Sequence, residues 1–164
     1  SELRMGTGST KVSDFMDAGV PLGISVDTVA LAGNANLFGA LKLLRIAEDM
    51  RGKSEFKMTA RRALEIGTIG GARSLGLEAR IGSLKPGKRA DLILVSTRNP
   101  NMGVFTDPSH LLIEATEEAD VDTVVVDGRI LKRGGKLTGP STSSVLADAS
   151  ASLAAMRQRV GGNP

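Results

Sequence analysis

The sequence predicts an α/β chain in which helical spacing dominates the first half and strands and turns take over from Ile81. Three stretches carry this reading. Leu37, Ala40, Leu41, Leu44 and Ala47 recur three and four apart, as on one face of a long helix. Val121 to Val126 is a β-branched run closed by Asp127-Gly128 and followed by Arg129-Ile130-Leu131-Lys132, the pattern of a hairpin. Between Val20 and Val26 a short apolar run ends on Asp27. The C-terminal end of a buried strand is where α/β enzymes place their chemistry, so Asp27 is the first candidate for a functional side chain.

The remaining elements follow in order. Met5-Gly6-Thr7-Gly8-Ser9 reads as a loop. Val12 to Ala18 has helical spacing (Val12, Phe15, Met16), with Ser13 as N-cap and Gly19 as stop. Leu22 to Val26 is the strand that delivers Asp27. Asn34 or Asn36 caps a helix running through Met50, and Gly52 ends it. Thr59 caps Ala60 to Ile66, Thr68 caps Ile69 to Leu75, and Gly76 closes the segment. Gly67, Gly70 and Gly71 are not a nucleotide loop, because no strand precedes them and no Gly-Lys-Ser/Thr follows; small residues here permit close helix packing. Gly82 to Lys88 is a turn-rich connector, Ala90 to Val95 a strand, and Asp120 to Leu137 the hairpin, with Gly134-Gly135 offering a second turn. Ser144 to Val160 is an amphipathic helix stopped by Gly161-Gly162.

Composition narrows the functional classes. At 164 residues the chain is about one domain and can bury a core. Four Phe, with no Tyr or Trp, leave few faces for base stacking, which argues against a nucleic-acid binder. A net charge of +3 is modest, and Arg61-Arg62, Lys85-Lys88-Arg89 and Lys132-Arg133 read as solvated faces. No stretch approaches the roughly 18 apolar residues needed to cross a bilayer, so no membrane role is expected. The absence of cysteine fits a cytoplasmic protein. Ser1 to Gly6 has no apolar signal region and does not read as a natural start.

Four motifs, in this order, resemble the C-terminal part of the amidohydrolase superfamily, in the branch holding cytosine and guanine deaminases and the triazine hydrolases. Leu3-Arg4-Met5-Gly6-Thr7-Gly8 is similar to the loop after the seventh barrel strand. Asp17 to Asp27 resembles the eighth strand with its terminal aspartate. Ile81-Gly82-Ser83-Leu84-Lys85-Pro86-Gly87-Lys88-Arg89-Ala90-Asp91-Leu92 is close to the signature Gly-x-Leu-x-Pro-Gly-Lys-x-Ala-Asp-Leu, and Val121 to Gly128 is similar to the late hairpin.

The resemblance implies a fold class: the last strand and flanking helices of a TIM-type barrel, plus the C-terminal part of a composite β-sandwich. Residues 1–80 would then be barrel, 81–140 sandwich strands, and 141–164 a C-terminal helix and tail. Asp27 becomes both catalytic residue and metal ligand, holding zinc or iron and relaying a proton during deaminase-like hydrolysis of a non-peptide C–N bond. The substrate implied is a heterocyclic amine or amide-like small molecule, and an oligomer is expected. The first seven strands and every metal-binding histidine of the family are missing from this chain. Its partner is therefore the N-terminal part of the same enzyme, and alone it is expected to be inactive and to bind no metal.

Other polar residues have simpler readings. His110 is the only histidine; without a partner, in the sandwich portion and far along the chain from Asp27, it reads as structural. Asp91 and Asp127 suit turn and hydrogen-bonding duties, and Asn34 and Asn36 suit helix capping. A second functional class stays open: a non-enzymatic interaction module that binds another chain through exposed sheet edges.

Overall fold

A computed structural model describes residues 6, 8, 11–29 and 33–161. Apart from Gly6 and Gly8, the motif Leu3 to Gly8 lies outside the described residues, as does Gly162. The helical half begins with α1 (Val12–Asp17) and α2 (Leu37–Gly52). It continues with α3 (Ala60–Glu65), a π-helical segment (Ile66–Gly70) and α4 (Gly71–Ser74). The second half contains β1 (Leu92–Val95), α5 (Pro108–Glu114), β2 (Val121–Val126), β3 (Arg129–Arg133), β4 (Lys136–Leu137) and α6 (Thr142–Val160).

Leu41, Met58, Ala60, Ala63, Ile66 and Ile113 form the core cluster, with Val12, Met16, Ile24, Leu44 and Leu64 against it. Ile113 belongs to α5, so the core crosses Ile81 and joins the two halves. Arg45 of α2 adds a polar tie, pairing with Glu114 of α5 and donating to the Met58 carbonyl at 3.1 Å.

Several helix ends follow local sequence. Asn36 accepts from Gly39 N–H at 2.9 Å, Thr59 from Arg62 N–H at 3.2 Å, and Ser141 from Ser144 N–H at 3.1 Å, each an N-cap. Others differ from expectation. Ser13 does not cap α1; Lys11 holds that position without a side-chain bond, and Ser13 is buried. Lys53, at φ +49, takes the left-handed position after α2. Gly52 is the last helical residue, and an added Cβ there would stand 2.7 Å from Lys57 Cγ, so the position suits a residue without a side chain. Thr68 opens no new helix, since its hydroxyl donates to the Leu64 carbonyl and the backbone runs on through the π segment into α4. α5 was not foreseen, although Asp107 followed by Pro108 is a helix start, and Asp107 accepts from Ser109 N–H at 2.8 Å.

The strands form one antiparallel sheet in the order β1-β2-β3-β4, with Leu92 opposite Val125 and Ile93 opposite Val124. The signature and hairpin motifs meet here. Asp91 accepts the Asp127 N–H at 2.6 Å, Arg89 pairs with Asp127 at 2.8 Å, and Gly128 N–H donates to the Ala90 carbonyl at 3.1 Å. Lys88 folds back into its own connector, donating to the Glu78 and Ile81 carbonyls and to Ser83 Oγ. α6 is exposed along its whole length, including Val145, Leu146, Leu153 and Met156.

Leu22 to Val26 is not a strand in this structure. Burial still alternates, with Leu22, Ile24 and Val26 half-buried and Gly23 and Ser25 exposed, but no described residue pairs with its backbone. A strand exists only as a ladder with a neighbour, and none is available among the described residues. The segment instead rests on the helical layer. A Cβ on Gly70 would stand 2.6 Å from the Leu22 carbonyl oxygen, and one on Gly23 would stand 3.0 Å from Gly71 Cα. Close packing is what these small residues provide.

Gly70→Ala is therefore expected to cost about 1–3 kcal/mol, because backbone on both sides must shift to admit a methyl group. Gly139→Ala, with nothing within 4 Å of the added Cβ, is the control. Denaturant unfolding of the two variants checks the difference.

Candidate functional site

Asp27 stands at the end of the Leu22–Val26 segment, exposed, with φ +63. Its backbone N–H donates to Ser25 Oγ at 3.1 Å. A positive φ is uncommon outside glycine, although Asp tolerates it better than most residues. Beyond it, Asn34 accepts from Asn36 N–H at 3.1 Å and Asn36 caps α2, so both asparagines serve the start of the next helix.

The two helices flanking this segment are clamped to each other. Glu48 of α2 is 1% exposed and accepts N–H bonds from Val12 at 3.2 Å and Ser13 at 3.0 Å, at the N-terminus of α1. The Ser13 hydroxyl also donates to it, and Arg51 pairs with it at 2.9 Å. A carboxylate at a helix N-terminus satisfies donors that have no partner within the helix and meets the positive end of its dipole. Burial opposes ionisation of Glu48, but the Arg51 guanidinium and the Ser13 donors outweigh it and hold the carboxyl down at about 2. The network widens at the surface. Arg51 holds Asp14 below the usual carboxylate range, and Arg62 with Lys57 does the same for Asp17.

The other candidates belong to the second half of the chain. His110 is exposed on α5. Asp91 and Asp127 are engaged with each other at the hairpin. Asp120, which sequence reasoning passed over, is 1% exposed and accepts from Glu117 N–H at 2.9 Å, Asn99 and Asn101. Those donors hold its carboxyl low, the Glu117 N–H foremost, and it organises the connection between β1 and β2. A pocket of about 200 Å³ lies near the opposite end of the segment from Asp27, lined by Met16, Val20, Leu22, Glu65 and Arg73 among others, and Asp27 takes no part in it.

Among the described residues no group of three or more His, Cys, Asp or Glu side chains could hold a metal ion. A catalytic zinc takes three protein ligands. Asp27 can be one of them, and the donor set here does not complete a centre. No helix among the described residues is long and apolar enough to cross a membrane.

Residues 1–131 match the amidohydrolase family. The chain belongs to that family. It is 33% identical over 149 residues to a 5-methylthioadenosine/S-adenosylhomocysteine deaminase of Desulforudis audaxviator, covering 91% of this chain and 35% of the relative. In structure it overlays on a zinc-bound adenosine deaminase from Xanthomonas campestris with a TM-score of 0.92 and 25% identity, over 96% of this chain and 36% of that one. A zinc complex of atrazine chlorohydrolase from Arthrobacter aurescens overlays with a TM-score of 0.84 and 28% identity, over 92% and 33%. The chain thus spans about a third of the length of these relatives.

The Glu48 clamp has a pH signature. A carboxyl lowered from 4.5 to about 2 contributes stability that is full above 4.5 and is lost as pH falls toward 2. Asp14, Asp17 and Asp120 shift in the same direction. Melting temperature is expected to fall steeply between pH 4.5 and 2, and Glu48→Gln to lower it at neutral pH while flattening that fall. Thermal melts across pH on both proteins check this.

Proposed function

We propose that this chain is the C-terminal part of a metal-dependent deaminase, with Asp27 as its contribution to the catalytic centre. The observation that carries the reading is the placement of Asp27. It ends a segment seated on the helical layer, in a chain that overlays closely on a zinc-bound adenosine deaminase. In this reading residues 1–80 are the end of the barrel, 81–140 the C-terminal strands of a composite sandwich, and 141–164 its helix and tail. The β1–β4 sheet leaves Ile93, Leu94 and Leu131 45–55% exposed, which suits a sheet awaiting a second layer.

Asp27 would hold zinc or iron together with ligands from the N-terminal two-thirds of the enzyme. A bound metal supplies positive charge that makes water acidic enough to attack near neutral pH. The Asp27 carboxylate would accept a proton from the attacking water and return it to the departing nitrogen. Water adds to the amine-bearing carbon, the C–N bond breaks, and ammonia leaves. An aminopurine nucleoside is the substrate class favoured, because the deaminase relatives act on such molecules. A cytoplasmic enzyme is part of this proposal, and a chain without cysteine is compatible with it. Exposed apolar surface on the sheet and α6 favours association with the N-terminal part and an oligomeric enzyme.

In the complete polypeptide Asp27→Asn is expected to lower turnover by about 10³-fold or more, since Asn keeps the size of Asp but cannot take the proton. His110→Asn is expected to shift melting temperature more than rate. Ammonia release from an aminopurine nucleoside, paired with thermal melts, decides it; near-normal turnover by Asp27→Asn overturns the reading. The isolated chain is expected to release no ammonia and to retain no zinc after chelator washing, as elemental analysis would report.

A further inference from the structure

We infer that α6 is a dimerisation helix, pairing antiparallel with α6 of a second copy of this chain. Of the reading above, this rests only on the enzyme being an oligomer and not on the chemistry of Asp27. α6 is exposed along its whole length, with no buried residue, and leaves the sheet through Gly139-Pro140. Its side-chain hydrogen bonds stay within the helix and its cap, and none among the described residues links it to another element. Leu146, Leu153, Met156 and Val160 are nevertheless 47–76% exposed. Helices in proteins take most of their stability from burying one face, so this face calls for a cover.

The pattern of the face selects the cover. Thr142, Leu146, Ala149, Leu153, Met156 and Val160 recur alternately four and three apart, the seam of a two-helix coil. Apart from Val145 beside that seam, the rest of the helix is Ser, Ala, Gln and charged residues. A helix packed into a domain core carries a broader apolar stripe, so the narrow seam fits a single partner helix. The seam is also complementary to itself when reversed. A two-fold contact sets residue i against j and j against i. Turned antiparallel about Ala151, Leu146 meets Met156, Ala149 meets Leu153 and Thr142 meets Val160 of the other copy. Each smaller residue thus faces a larger one, whereas parallel pairing would set Ala149 against itself and leave a gap. Ser150 and Ser152 then flank the two-fold axis, each opposite its own copy, and their small size lets the helices approach. Charge points the same way. Arg157 and Arg159 lie in the last turn, and Asp148 is the only acid of α6. Parallel pairing would gather four arginines at one end. Antiparallel pairing separates the two sets by about 18–24 Å, beyond the screening length, and brings each to the half that bears the other copy's acid.

The test uses the complete polypeptide and its Leu153→Glu, Ala149→Lys and Ser152→Cys variants, with molar mass read by light scattering. Leu153→Glu and Ala149→Lys are each expected to halve the mass of the unaltered protein while ammonia release from an aminopurine nucleoside is kept. Mixed in equal amounts, the two variants should regain the full mass, because the introduced carboxylate meets the introduced ammonium across the seam. Ser152→Cys should be joined by a short bis-maleimide into a double-mass species, with the link mapped by peptide mass to position 152 of both copies. An unaltered protein that is a monomer and releases ammonia overturns this inference and leaves the deaminase reading standing. A protein of the expected masses that releases no ammonia does the reverse. A full mass that survives both seam variants places the contact elsewhere and overturns the inference. Aggregation or lost ammonia release in both seam variants, not repaired by mixing them, shows that the N-terminal part of the enzyme covers this face, and overturns it as well.

Discussion

Where Asp27 stands depends on backbone lying against backbone. The Leu22–Gly23 segment touches Gly70 and Gly71 so closely that a methyl group on Gly70 would enter the Leu22 carbonyl oxygen. A strand is held by a ladder with a neighbour; this segment, which has no such ladder among the described residues, is supported by packing against the helical layer. The π segment is part of that arrangement. Its wider turn carries Gly70 at the point of contact, and such segments are rare outside places where helix geometry has been adapted to a neighbour.

The second support is electrostatic. α1 has six residues and no local cap, so by itself it is too short to persist. Glu48 supplies the missing cap from a helix more than thirty residues away, and Arg51 neutralises the charge that this buries. The segment bearing Asp27 is thus bounded by two helices fastened to each other, with Asn36 ordering the return into α2. Burying a carboxylate is tolerated here because each of its oxygens has hydrogen-bond partners.

The second half is organised by a different economy of contacts. Arg89, Asp91 and Asp127 bring the signature and the hairpin into one unit, and Lys88 ties the preceding connector to itself. None of these charges is left over for chemistry. The Pro86-Gly87-Lys88-Arg89-Ala90-Asp91 run is accounted for by the connector and sheet it builds. α5 then returns to the helical layer through Ile113, Arg45 and Glu114, so the two halves share a core despite their different composition.

Local sequence determined what depends on neighbours in the chain. The caps at Asn36 and Thr59, the Asp127-Gly128 turn, the hairpin strands around it and the long face of α2 could be read directly, because each is decided within a few residues. The cap at Ser141 and the first turn of α6 were not read, and burial along β2 does not alternate. The ordered motifs also marked the family and singled out Asp27. What tertiary structure alone decided involves partners distant in sequence. Ser13 has the chemistry of a cap, yet Glu48 takes that role and draws Ser13 inward. Leu22 to Val26 has the composition of a strand, but strand identity belongs to a pair of segments and cannot be held by one. The left-handed backbone at Asp27 is likewise visible only in the folded chain, because an aspartate merely tolerates that conformation and no residue type in the run before it demands the turn.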